Sequence, residues 1–200
     1  MKQPRIQGIL GATGSGKTTF MRTLLNDHFR TFVIDPTADD EKFRSYGTLA
    51  PTMADVVRLS TSRTFRVRII TEDPIAFQFV CWLAWQRGNC TLAVDEVHEF
   101  VPNMHNGIPR IFKLLCLRGR HRDVSIIATS QRPQNVHKDF LSEAANHGLY
   151  VFRMNDPYAF DTLRKIIPDV DKARNLPIGE KLSWPPLPRS RSVRNVSKRN

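Results

Sequence analysis

The 200-residue sequence predicts an α/β fold, a mostly parallel central sheet flanked by helices. Three observations predict it. Short apolar runs of strand type alternate with longer helical stretches. A glycine-rich octapeptide, GATGSGKT at Gly11 to Thr18, stands directly between the first apolar run and the first helical pattern. A second fully apolar run, TLAV, leads into the acid pair Asp95 and Glu96, as a buried parallel strand does when its carboxyl end carries a site.

Taken in order, Ile6 to Leu10 is the first strand and Lys17 to about Phe29 the first helix. Thr31 to Asp35 is a second strand, closed by Pro36, and the alternating run Phe65 to Ile70 a third. Pro74 to Gln86 reads as a long buried helix, with Trp82 and Trp85 at core spacing. Thr91 to Asp95 is a strand, Ile108 to Arg118 a basic helix, and Val124 to Thr129 and Leu149 to Arg153 are two more strands. Short helices are expected over 136–146 and 157–166. Residues 1–183 form one domain in this reading. From Trp184 the chain reads WPPLPRSRSVRNVSKRN, with three prolines, five basic residues and no acid, which predicts an extended basic tail.

The net charge of +11 points to a polyanionic partner, nucleic acid or an acidic membrane surface. The three cysteines, Cys81, Cys90 and Cys116, are odd in number and lack C-x-x-C spacing, which argues against a disulfide framework or a zinc site. The most apolar stretch, Ile75 to Trp85, contains Gln78 and is bounded by Asp73 and Arg87. It is too short for a membrane span of about 20 residues. The N-terminal apolar run enters the glycine-rich loop directly, so it reads as a core strand rather than a signal peptide.

The loop carries its own chemistry. Its glycines let successive backbone N–H groups turn toward phosphate oxygens, and the following helix adds its positive end. Gly11, Ala12, Thr13, Gly14, Ser15, Gly16, Lys17, Thr18 and Thr19 are therefore the expected ATP-binding residues. Lys17 is expected to reach the β and γ phosphates, and the Thr18 hydroxyl and Asp95 to hold Mg²⁺. Glu96 is placed to polarise an attacking water, with Glu99 a weaker candidate. No D-x-x-G or N-K-x-D pattern of GTP-dependent proteins accompanies the loop. Gln131, at a strand end, can touch the γ phosphate or the water, or serve only as a strand-end hydrogen bond. Between Phe100 and Arg122 there are no acids, and Arg110, Lys113, Arg118, Arg120 and Arg122 line this run. One of the last three can be offered across a subunit boundary to the transferring phosphoryl group. A solvated basic face or a DNA contact is the alternative.

GATGSGKT, VIDPT at 33–37, TLAVDE, RHRDVSIIATSQRPQNVHK and VFRMNDPYAFDTL together resemble the FtsK–HerA superfamily of ring-forming ATPases. The resemblance covers about residues 6–167. The small size is most similar to the genome-packaging ATPases of membrane-containing icosahedral viruses. It implies a RecA-like P-loop NTPase (ASCE) core, a homohexameric ring, Mg²⁺-ATP, and double-stranded DNA threaded through a pore. It further implies contacts with a capsid vertex or viral membrane proteins, in the host cytoplasm or virion. By position, Lys17 and Thr18 match the Walker A pair, Asp95 and Glu96 the Walker B pair, and Gln131 the polar sensor. Counting back from Gln131 places the arginine finger on Arg120, with Arg118 and Arg122 as alternatives. Ser130, between Thr129 and Gln131, departs from many relatives, while others have it too. Pore-lining candidates are the segment after Asp35 with Lys42 and Arg44 and the segment from His98 to Arg110, while the basic tail is a candidate for binding DNA or docking on a capsid vertex or membrane. A cellular or plasmid DNA-transfer ATPase and a nucleotide-controlled phage assembly or export factor are the other readings.

Overall fold

The computed structural model describes residues 5–37, 43–105 and 107–185. Among these, eight strands form one sheet: β1 (Ile6–Leu10), β2 (Arg30–Asp35), β3 (Thr48–Leu49), β4 (Phe65–Ile70), β5 (Cys90–Val94), β6 (Val124–Ser130), β7 (Leu149–Phe152) and β8 (Lys181–Trp184). Their spatial order is β3-β4-β2-β5-β6-β1-β7-β8. Every neighbouring pair is parallel except β7 with β8. The helices are α1 (Lys17–Leu25), α2 (Met53–Leu59), α3 (Pro74–Arg87), α4 (Arg110–Arg118), α5 (Lys138–His147) and α6 (Pro157–Leu163).

Because strand side chains alternate, each central strand feeds both faces. Ile9, Val33, Ala93 and Ile127 face α1, where Met21 and Leu25 cover them. Leu10, Phe32, Ile34, Leu92, Val94, Ile126 and Ala128 face the larger layer that includes residues of α3, α4, α5 and α6. In that layer Phe77 stacks on Phe100 with ring centroids 4.5 Å apart and also meets Phe112. This two-sided burial explains why the central strands are apolar throughout.

Register brings three strand ends to one edge of the sheet. Leu10 pairs with Ser130, and Val94 with Ala128. β6 is thereby inserted between β1 and β5, and the residues after all three strands gather at their carboxyl ends.

Several sequence expectations need correction. Short β3, helix α2 and strand β8 were not expected. Trp184, assigned to the start of the tail, is part of β8 and pairs with Leu149; residues 186–200 of that tail lie outside the described residues. α1 stops at Leu25 rather than near Phe29, because Arg30 already belongs to β2, where its guanidinium donates to the carbonyls of Asn89, Ser62 and Arg63. α4 starts at Arg110 rather than Ile108, since Pro109 disfavours helical backbone in the residue before it. Trp82 is not core: it is 46% exposed, while α3 buries Phe77, Val80, Cys81 and Ala84 instead. α3 begins as its sequence suggests, with Pro74 at the first turn and the Asp73 carboxylate accepting from the Ile75 N–H at 2.8 Å. The three thiols are buried, and burial pushes Cys90 up to about 12. Among the described residues no helix is long and apolar enough to cross a membrane.

At the β2–β4 edge of the core, Arg68 donates through Nη2 to Asp35 Oδ2 at 2.8 Å, both side chains being almost fully buried. The Thr37 hydroxyl donates to the other carboxylate oxygen at 3.1 Å. Removing one partner of such a pair leaves a desolvated charge. Arg68→Ala is expected to cost about 3–5 kcal/mol of stability, measurable as a drop in the denaturant midpoint with the slope unchanged.

Candidate nucleotide site

The glycine-rich loop is rooted between two strands. The Gly11 N–H donates to Ser130 O at 3.2 Å, and the Ala12 N–H to Arg153 O at 2.9 Å. Gly11 sits at φ +155, where a Cβ would lie 2.7 Å from Phe152 Cβ, so a side chain there is excluded by close approach as well as by conformation. Gly16 caps α1 in the left-handed region at φ +106. Lys17 is buried and its ammonium donates to Ala12 O at 3.0 Å, folding the side chain across the loop. Thr18 is half-buried in the first turn of α1, and Thr13, Gly14 and Thr19 are exposed. Ser15 Oγ is buried and has no hydrogen-bond partner, although the Ser15 carbonyl accepts from the Gly179 N–H at 3.0 Å. A glycine-rich loop that opens a helix, with an unsatisfied buried hydroxyl and a folded lysine, fits an oxyanion ligand. Thr18 and the buried carboxylate of Asp95 fit a hard divalent cation by donor type.

Facing the loop, the turn after β5 is tied residue by residue to the end of β6. The Thr129 hydroxyl donates to Asp95 Oδ1 and accepts from the Glu96 N–H at 3.0 Å. Glu96 occupies left-handed backbone at φ +47, an uncommon conformation for a non-glycine residue. Its carboxylate Oε2 accepts from the Gln131 N–H at 3.0 Å. The Gln131 side chain in turn accepts from the Thr13 hydroxyl. Gln131 therefore bridges the glycine-rich loop and Glu96, once with its side chain and once with its backbone.

His98 and Ser130 complete this network; the sequence suggests no role for Ser130 and places His98 only at the start of a pore-lining candidate segment. The His98 ring is nearly buried between Glu96, Glu99 and Ser130. Burial holds its pKa below the usual 6.5, opposed by Glu96 and Glu99 and assisted by Arg132 and Lys17. A single histidine in a polar turn carries no sequence signal. The three-residue spacing from Asp95, which a 3₁₀ turn folds back onto the strand end, was the only hint.

The three candidate arginines separate clearly. Arg122 donates to the carbonyls of Trp85 and Gln86 at 3.1 and 2.9 Å, satisfying the carboxyl end of α3. The Arg118 and Arg120 side chains are exposed and make no hydrogen bond or ion pair among the described residues. All three precede β6, whose seven residues put roughly 20 Å between them and the loop of the same chain. Lys113 is paired with Asp139 at 2.8 Å. Of the pore-lining candidates, Arg44 is exposed and Lys42 lies outside the described residues. His98 is buried, so that segment offers Glu99, Asn103, Met104, His105 and Arg110 to solvent. Its first residues are tied to the chain beyond Gln131, through Asn103 N–H to Asn135 O at 2.7 Å and His137 N–H to Val101 O at 2.9 Å.

No family model and no curated protein matches the sequence. Solved structures do match the fold. The genome packaging NTPase B204 from Sulfolobus turreted icosahedral virus 2, in complex with AMP, superposes with a TM-score of 0.74 at 16% identity over 92% of this chain and 93% of that one. This chain has the fold of a genome-packaging NTPase. The packaging-NTPase fold recurs in B204 of Sulfolobus Turreted Icosahedral Virus, a DNA-packaging ATPase, with a TM-score of 0.69 at 16% identity over 92% of this chain and 99% of that one. The conjugation coupling protein TcpA of pCW3, with ATPγS, matches with a TM-score of 0.62 at 14% identity over 92% of this chain and 58% of its own. The architecture read from GATGSGKT, TLAVDE and the strand ending in Gln131 is thus the one observed.

Proposed function

We propose that this chain is an ATP-hydrolysing DNA translocase that packages viral double-stranded DNA into a preformed capsid, acting as a homohexameric ring with ATP and Mg²⁺. The observation that carries the reading is the alignment of three strand ends: the glycine-rich loop after β1, Asp95 and Glu96 after β5, and Gln131 after β6. The fold shared with proteins named as packaging NTPases supports it.

In this mechanism the loop N–H groups and Lys17 hold the phosphates, and Lys17 exchanges its contact with Ala12 O for phosphate oxygens. Thr18 and Asp95 would hold Mg²⁺, which when bound screens phosphate charge. Glu96 orients the attacking water, kept beside Gln131 by the Gln131 N–H. Arg120 reaches the γ phosphate of a neighbouring subunit, since its own loop is out of range. Loss of the γ phosphate frees the Thr13–Gln131 contact to rearrange, and the segment tied to the chain beyond Gln131, Asn103 to His105, moves with it. Arg110, exposed at the far end of the same candidate segment, and exposed Arg44 grip DNA phosphates without reading sequence.

The test is steady-state ATP hydrolysis with and without double-stranded DNA. Stimulation of several-fold is expected, weakening steeply as salt rises. Hydrolysis indifferent to DNA at low salt would favour the assembly or export factor, and absence of hydrolysis would overturn the reading. The fold likeness to a conjugation coupling protein makes a DNA-transfer ATPase the second reading.

A further inference from the structure

We propose that His98 is a positioning residue for Glu96, latched by Ser130 so that one oxygen of the Glu96 carboxylate stays available to the attacking water. The inference rests on the reading of Glu96 as the water-orienting group.

In a neutral His98 ring the contacts admit one arrangement of protons. His98 Nε2 lies 3.1 Å from Glu99 Oε1, and a carboxylate can only accept, so Nε2 carries the ring proton. A neutral ring then leaves Nδ1 as an acceptor. The Ser130 hydroxyl, 3.2 Å away, donates to it. Ser130 Oγ also accepts from the Arg132 N–H at 3.0 Å, which leaves its own proton for His98. The chain of donors runs in one direction, from Arg132 N–H through Ser130 O–H to Nδ1, and from Nε2–H to Glu99.

The consequence falls on Glu96. Its Oε2 lies 3.4 Å from Nδ1, but Nδ1 already accepts from Ser130 and has no proton to give. Oε2 is held by the Gln131 N–H at 3.0 Å, and the imidazole stands against it at 3.4 Å. Ring and amide together fix the carboxylate without tying down Oε1. Had Nδ1 carried the proton, it would bind the carboxylate in competition with water. Glu99 therefore sets the histidine tautomer, and Ser130 holds the ring through Nδ1. A displacement of about 1 Å in a group that orients a reactant can cost on the order of 10²-fold in rate, and the latch guards against that loss.

The experiment measures kcat and KM for ATP in His98→Ala, His98→Asn, Ser130→Ala and the His98→Ala/Ser130→Ala pair. His98→Ala and Ser130→Ala are each expected to lose roughly 10- to 100-fold in kcat, with KM changed less than about twofold because the phosphate loop is intact. The pair should lose no more than the worse single variant, since both remove one latch. His98→Asn, whose amide oxygen can take the Ser130 proton, should recover most of the rate. Wild-type kcat in both single variants, a KM effect alone, or an asparagine variant no better than alanine would overturn the proposal. Glu96→Gln, run beside them, separates the two readings: if it hydrolyses ATP normally, the assignment of Glu96 itself fails and the latch with it. Histidine nitrogen NMR provides a readout independent of hydrolysis. His98 is expected as the Nε2–H tautomer at neutral pH, and an Nδ1–H ring or an imidazolium there overturns the latch whatever the rates.

Discussion

Arg120→Ala is expected to lower kcat for ATP hydrolysis by roughly 10³-fold or more, the range over which an arginine offered in trans accelerates phosphoryl transfer. Nucleotide affinity should stay near wild type, because Arg120 and the phosphate loop lie at opposite ends of β6. The side chain is exposed and makes no hydrogen bond or ion pair among the described residues, as a group reserved for another subunit should be. The decisive form of the measurement mixes two inactive proteins. Arg120→Ala subunits keep an intact loop, and Lys17→Ala subunits keep an intact arginine. Mixed rings should regain activity at the interfaces that pair the two. Full activity in Arg120→Ala together with loss in Arg118→Ala would move the finger by half a turn. Arg122→Ala should behave differently. Its guanidinium satisfies the carbonyls of Trp85 and Gln86, so the expected result is a lower melting temperature, with catalytic loss only in proportion to unfolding.

The second large effect is expected from Glu96→Gln, a near-isosteric change that removes the basic carboxylate and keeps an oxygen for the Gln131 N–H. General-base groups contribute typically 10²–10⁴-fold, and kcat should fall on that order. ATP binding should persist, since Glu96 has no part in the phosphate loop. A variant that binds ATP, assembles and stalls is the predicted phenotype, read by equilibrium binding of a fluorescent ATP analogue beside the hydrolysis rate. Unchanged hydrolysis would remove Glu96 from the mechanism and leave Asp95 and Gln131 to be tested in its place. The backbone at Glu96 argues against that outcome. Left-handed geometry at a glutamate costs energy, and here the Thr129 hydroxyl and the Gln131 N–H hold it in place.

The alternation of apolar and helical runs sufficed to place β1, β2, β4, β5, β6 and β7, because each is a local pattern buried on both sides by the same rule. GATGSGKT and TLAVDE announced the nucleotide site for a similar reason: their chemistry is written within eight and six consecutive residues. α2 was legible in principle. Thr52 accepts from the Asp55 N–H at 3.1 Å, a capping signal spaced three residues apart that went unread. Other features had no local signature. β8 is four half-buried residues that become a strand only by pairing antiparallel with β7. The surface position of Trp82 depends on which side of α3 the sheet occupies. The use of Arg122 as a helix terminus, while Arg120 stays unengaged, follows from where the end of α3 meets the start of β6.

The candidate site divides along the same line. The sequence by itself nominated the residues proposed to hold phosphate, metal and water, because residue type and short spacing carry that chemistry. Only the tertiary structure decided how the Glu96 carboxylate is held. His98 and Ser130 are 32 positions apart, and nothing in either neighbourhood encodes their meeting. They meet because parallel pairing aligns Val94 with Ala128, which sets the turn after β5 against the last residues of β6.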